Sequence, residues 1–222
     1  MSNLEKIYTS LCVIFSVLLV VGNLTYQKFA ILSFMGLYSF ELSVGAILYP
    51  MTFLITDLIT EFYGKEKAVF CVRFAMIMNL QVAIIIFCMD ALPTASWSKI
   101  DGNTFHKVFG LYYVALTSSL IACYIAQKVD ISLYLLLRKI TKGRYLWVRN
   151  NVSTAISLFI DTFIVITVMT MFNILPKEQK QALILNSYSW KLTFTILSTP
   201  LFYLCFAIIK SLIKQDDTQR KS

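Results

Sequence analysis

The sequence predicts an all-α polytopic membrane protein, with six transmembrane helices in one bundle and both termini cytoplasmic. Three observations carry this. Hydrophobic residues fill 58% of the 222 positions and charged residues only 14%, against ~25% charged in an average soluble domain. The charges are bunched, leaving uncharged stretches of the ~20 residues that a helix needs to cross ~30 Å of hydrocarbon. Lys and Arg are shared unequally between alternate loops, as membrane topology requires. A water-soluble globule is excluded, because its exterior would need far more polar surface than this composition supplies.

Taken in order, the apolar stretches are 7–26, 42–62, 68–91, 109–127, 152–175 and 190–213. The first is long and ends at Gly22-Asn23-Leu24 without a small-residue cleavage site, so it reads as a span and not as a secretory signal. Pro50 and Pro200 fall near the middles of the second and sixth stretches, where a proline frees a carbonyl and kinks a helix. Residues 105–140 contain no proline, and only Gly110 would break them. One helix of that length, ~54 Å, is too long to cross upright. Either the fourth span tilts strongly, or 131–137 continues along the interface beneath Lys128 and Asp130. Residues 1–214 form one transmembrane domain, and 215–222 form a polar, frayed cytoplasmic tail.

Orientation follows from the cations. Lys6, Lys65, Lys67, Arg73, Lys128, Arg138, Lys139, Lys142, Arg144, Arg149, Lys210, Lys214, Arg220 and Lys221 lie on one side, 14 in all. Lys28, Lys99, Lys107, Lys177, Lys180 and Lys191 make 6 on the other. The side with 14 is cytoplasmic. The net charge of +8 does not mark a nucleic-acid binder, since the cations sit at the ends of apolar stretches and not in a phosphate-tracking groove.

Polar groups inside the spans are the candidate functional residues, because a mid-membrane carboxylate costs ~2.5–3.5 kcal/mol even on insertion scales. Asp161 lies at the centre of the fifth span with no cation within a helical turn. Asp57 and Glu61, four apart, share a helix face with Thr56 and Thr60 alongside. Glu61 also suits a pairing with Lys65 at the helix end, whereas Asp57 lies deeper, and Glu41 sits at the opposite interface. Asn23, Asn79, Gln81, Gln127, Asn151 and Lys191 complete the set. Single amides can glue helices together at ~1 kcal/mol, but this many point to a wet or ligand-filled cavity. Asn23-Leu-Thr and Asn151-Val-Ser match the glycosylation pattern only at membrane edges.

Enzyme chemistry finds little support. His106 is the one histidine, and no GxSxG, HExxH or P-loop occurs. No metal or cofactor site is expected. Cys12, Cys71, Cys88, Cys123 and Cys205 stand singly in apolar stretches and read as small buried residues.

The run PMTFLITDLITEFYGKEKA, 50–68, resembles the signature of the queuosine-precursor transporter family, of the vitamin-uptake-transporter type. RNNVSTAISLFIDTF, 149–163, resembles the same family's fifth-span motif. Gln127-Lys-Val-Asp130 is similar to its fourth-span end, and Trp190-Lys191 with Pro200 to its last span. Phe159 departs from the pattern, which has a polar residue, often Gln, two before the aspartate. The resemblance implies a six-span bacterial inner-membrane carrier importing a 7-deazaguanine precursor of queuosine, the nitrile, the aminomethyl form or queuine. A guanine-type edge offers two parallel donors that a carboxylate accepts, so Asp161 or Asp57 would hold it. Gln127, Asn151 or Gln81 would meet its carbonyl and ring nitrogens, and Glu61 would balance an aminomethyl cation. Asn23 and Lys191 complete the expected substrate-binding set, in a cavity between the second, fourth and fifth spans. The rival readings are a substrate-capture subunit with a separate energising complex and an intramembrane enzyme. The expected partners are the substrate and lipid, with no nucleic acid. A homo-oligomer stays open.

Overall fold

The structure, a computed structural model, describes residues 3–219 apart from 35, 37 and 111. Helix α1 (Asn3–Leu24) buries Cys12, Phe15, Ser16, Leu19 and Asn23, the three-and-four spacing of one helix face. That face packs on Ile55, Ile59, Ala68, Cys71, Val72, Ala75, Cys123 and Ile131. Its other side exposes Val13, Ile14, Val17 and Val21, an apolar surface suited to lipid.

A β-hairpin follows where sequence reading expects only a loop. Strands β1 (Phe29–Phe34) and β2 (Tyr38–Ser43) pair antiparallel, Phe29 opposite Ser43 and Leu32 opposite Phe40. Phe40 and Leu42 are buried and their neighbours Ser39 and Glu41 exposed, the period of two that seats one face of a strand. Phe40 lies edge-on to Trp190, ring centroids 5.6 Å apart. The second span therefore does not begin helically at residue 42. A short 3-10 turn (Val44–Ala46) comes first. It brings Gly45 so near α1 that a Cβ there would run into the Gly22 carbonyl oxygen, so this crossing requires glycine.

Helix α2 (Pro50–Asp90) is broken at Gly64, whose φ of 81° and ψ of 176° belong to a region open essentially to glycine alone. The chain reverses there. Gly45 meets Gly22 near one end of α1, the Tyr63 hydroxyl donates to the Leu4 carbonyl at the other, and Asn79 is back beside Asn23. Pro50 occupies the first helical position, where its missing N–H costs nothing, and not the middle of a span. In the first arm every residue from Thr52 to Thr60 is buried, so this arm is the axis of the bundle. In the second arm Ala68, Cys71, Val72, Ala75 and Asn79 face inward, while Phe70, Phe74, Ile77 and Leu80 face out.

A loop leads to α3 (Gly102–Phe109), capped by Asp101, whose side chain accepts from the Thr104 N–H at 2.6 Å. That bond holds the Asp101 carboxyl below the usual carboxylate range. His106 contacts Asp90 at 2.6 Å, tying α3 to the end of α2. Residues 105–140 are thus two helices. The second, α4 (Tyr112–Ile140), runs unbroken through 131–137. Ile131 and Tyr134 are buried, so this stretch packs in the bundle and does not lie along the interface.

Helix α5 (Leu146–Met171) buries one continuous stripe that includes Arg149, Ser153, Ser157 and Asp161, one residue every four. Helix α6 (Lys180–Leu197) and α7 (Thr199–Gln219) are separate elements, bent 46° at Ser198 with Pro200 just beyond. Residues 190–213 are therefore not one straight span. The proline has no N–H to offer the carbonyl four residues earlier, which explains the break. The backbone of α7 is helical into the polar tail as far as Gln219, there being no Gly or Pro to stop it. Residues 220–222 lie outside the described residues. Of the cysteines, Cys12, Cys71 and Cys123 are buried and Cys205 half-buried, but Cys88 is exposed.

Among the described residues, four helical segments are long and apolar enough to cross a membrane: Asn3–Leu24, Val44–Asp90, Leu116–Ile140 and Leu146–Met171. The bent pair Lys177–Leu197 and Thr199–Ile213 makes up to a fifth. The chain is an all-α polytopic membrane protein carrying one small hairpin.

Candidate functional site

A cavity of about 410 Å³ opens at the end of the bundle that holds the hairpin. Its walls come from the last turns of α1, residues 43–49, α5 and α6, with Ser119 from α4 and Lys107 from α3. Residues of the second stretch (Tyr49), the fourth (Ser119) and the fifth (Asp161) thus meet here, joined by the end of the first stretch and by α6. The volume falls in the range of about 300–1,000 Å³ typical of small-molecule sites.

At its floor Asp161 is 2% exposed. Tyr49 donates its hydroxyl to Oδ1 at 2.7 Å, and the Lys191 ammonium donates to Oδ2 at 2.9 Å. Lys191 also donates to the Thr162 hydroxyl at 3.0 Å and sits 4.7 Å from the Tyr49 ring centroid. A buried ion pair survives only when its geometry and extra hydrogen bonds offset desolvation, and here Tyr49 and Thr162 supply them. Each carboxylate oxygen keeps a second lone-pair direction, and Lys191 keeps one N–H of its three. The floor thus offers acceptors and a donor side by side.

Higher on the same wall, the Ser119 hydroxyl donates to Asn23 Oδ1 at 2.7 Å, and Asn23 Nδ2 donates to Asn79 Oδ1 at 2.9 Å. Asn79 Nδ2 in turn donates to the Ala75 carbonyl. Tyr26 and Phe29 stand nearer the mouth. The Tyr26 hydroxyl accepts from the Gln27 side-chain amide at 3.1 Å.

Of the eight residues singled out by sequence, Asp161, Lys191 and Asn23 line this cavity. The others do not. Gln127 is fully buried between Thr56, which donates to its Oε1 at 2.8 Å, and Thr52. Asn151 bonds the Trp147 carbonyl and the Thr199 hydroxyl, joining α5 to α7. Gln81 is exposed on the outer arm of α2. Glu61 pairs not with Lys65 but with Arg149, at 3.2 Å, and more loosely with Arg138 at 3.8 Å. The Tyr134 hydroxyl donates to the same carboxylate at 3.0 Å. Asp57 is 0% exposed and neighbours Asp130, also 0% exposed, across the α2–α4 contact. Phe159, the departure from the family pattern, is 47% exposed on the outer face.

Sequence reading passed over Tyr49, Thr162, Ser119, Asp130, Tyr134 and Arg149 as site residues. Two signals were available. Arg149, Ser153, Ser157 and Asp161 recur every fourth residue, which draws a polar line down one helix face. Gln127, Asp130 and Tyr134 follow the same three-and-four spacing on α4. In the sequence Arg149 reads as a cytoplasmic cation and as the first residue of the 149–163 motif, not as a site residue.

Apolar helices around a mostly apolar cavity with a buried ion pair at its base suit a membrane transport protein. Residues 43–205 match the family described as "putative vitamin uptake transporter", and the chain belongs to that family. It is also similar to a protein of Bacillus subtilis (strain 168) named "probable queuosine precursor transporter", with 28% identity over 182 residues, 82% of this chain and 77% of that one. No solved structure matches the chain.

Proposed function

We propose that this protein imports a queuosine precursor, a base of the 7-deazaguanine type, across the bacterial inner membrane. The observation that carries this reading is the Lys191–Asp161 pair on the cavity floor. A guanine-type edge presents N1–H and an exocyclic NH₂ beside a carbonyl. Asp161 accepts from the first two, Lys191 donates to the third, and Tyr49 or Tyr26 stacks on the ring. Bases without the amine are rejected because they leave the carboxylate under-satisfied. Asn23 and Ser119 meet the far side of the substrate.

The chain crosses six times, through α1, each arm of α2, α4, α5 and the bent α6–α7 pair. An unbroken α2 of 41 residues would extend ~62 Å, about twice the hydrocarbon thickness, and the reversal at Gly64 supports two passes. Both termini are cytoplasmic, as the cation asymmetry favours. The cavity then opens outward, and the Glu61–Arg149 layer closes the cytoplasmic end. Glu61, Gln127 and Asn151 belong to the path the substrate takes after the site, not to its first contacts.

The test uses cells unable to make the precursor, given it externally, with queuosine in tRNA as the readout. Queuosine appears with this protein and with its Asp161→Asn variant does not, although the variant reaches the membrane in normal amounts. Equal queuosine in cells lacking the protein overturns the reading.

A further inference from the structure

We propose that Asp57 and Asp130 form a proton-binding site that couples import to a proton gradient. This rests on the transport reading but not on the identity of the substrate. All four carboxylate oxygens of the pair are buried and lack a hydrogen-bond partner. The Thr154 hydroxyl, from a residue only 2% exposed, is likewise unpartnered and faces Asp130 from α5. Asp57 has Glu61 on its own helix, Asp130 and Tyr134 on α4, and Arg149 on α5 around it. Asp130 faces Ser153, Thr154 and Ser157.

The charges leave one position to fill. Asp57, Asp130 and Glu61 bring three negative charges, while Arg149 and Arg138 bring two positive ones; Arg149 reaches Glu61 through Nη2 alone, its Nε and Nη1 being buried and unpartnered on the side of the pair. Adjacent buried carboxylates cannot comfortably both be ionised. One proton settles the charge and leaves only one of the four oxygens without a partner, since a protonated carboxyl donates to its neighbour and Thr154 serves a third oxygen. The pair lies outside the cavity walls, so it binds its ion separately from the substrate. The α5 line from Asp161 through Ser157 and Ser153 to Arg149, about 18 Å of helix, joins the two sites through one rigid element. The proton binds while the cavity faces outward and is released inside, when Arg149 leaves Glu61 and the cytoplasmic layer opens.

Purified full-length protein in liposomes tests this with labelled 7-cyano-7-deazaguanine. With the outside one pH unit more acidic and no membrane potential, one proton per neutral substrate gives about tenfold accumulation. Asp130→Asn loses that accumulation yet still exchanges labelled for unlabelled precursor at zero gradient, which shows that it is folded. In parallel, infrared spectra of the wild type show a protonated-carboxyl carbonyl band at neutral pH that is missing from Asp130→Asn and needs no substrate. Accumulation driven by sodium and not by protons, or an unchanged band in the variant, overturns the proposal. A band that behaves as expected in a protein that does not take up the precursor upholds the proton site and refutes the substrate reading.

Discussion

At the scale of single residues, the cavity floor is an ion pair whose halves are unequal in what they leave behind. Lys191→Met strands the Asp161 carboxylate at a site 2% exposed, and removing one partner of a buried pair costs about 3–5 kcal/mol. Asp161→Asn keeps one amide oxygen for Lys191 and turns its NH₂ to the Tyr49 hydroxyl, which can accept, so it loses function more than stability. The expected order of melting temperatures in detergent is wild type, then Asp161→Asn, then Lys191→Met. Adding Asp161→Asn to Lys191→Met restores stability without restoring uptake. A double variant less stable than Lys191→Met alone would mean that the pair is not coupled as its 2.9 Å contact implies. Asp161 was legible in the sequence because a carboxylate amid Leu, Phe and Ile needs a cavity or a partner on a neighbouring helix. Tyr49 was not, since a tyrosine beside a membrane end is ordinary and only the fold brings it 112 positions along the chain to Asp161. Asp130 was hidden for a related reason: it stood near Lys128, at what reads as a helix end, and its burial arises from packing against α2 and α5.

At the scale of elements, breaks matter more than helices. The helices themselves were readable from apolar length, and each of the six stretches falls mainly on a helix or on the bent pair, the second only from Pro50 onward. The hairpin was not readable, because FAILSF and YSFELS are as apolar as span ends and only pairing reveals their alternation. The join at Gly64 was legible as a loop but not as a turn this tight. Gly64 has open space around a notional Cβ, so Gly64→Ala tests backbone strain without a clash. Its φ of 81° makes the expected penalty about 1–3 kcal/mol. Gly45→Ala at the Gly22 crossing adds a steric collision with backbone and is expected to lower the melting temperature further, with α1 pushed away from the cavity wall. Thermal unfolding of the two variants side by side gives the comparison. Gly64→Ala melting at the wild-type temperature would contradict the reversal described for α2.

At the scale of the whole molecule, the polar groups divide between an open end and a closed one. The cavity collects Asn23, Tyr49, Asp161 and Lys191 at the hairpin end. The layer of Glu61, Arg149 and Tyr134 ties the opposite end together with charge-assisted bonds. A carrier must exchange these two conditions, and the substrate can only drive that exchange by binding the two states differently. Labelling with a membrane-impermeant maleimide reads the asymmetry directly, on a chain whose five cysteines are replaced. Asn173→Cys, on the cavity rim, is expected to label in intact cells, and the precursor slows that labelling. Lys142→Cys, in the turn between α4 and α5, labels only after the membrane is opened. Weakening the closed end with Arg149→Lys, which keeps the charge but loses the planar fork, shifts the resting population toward the inward state, so labelling of Asn173→Cys falls several-fold with no substrate present. Unchanged labelling in that double variant would mean that the Glu61–Arg149 layer braces the bundle without gating it.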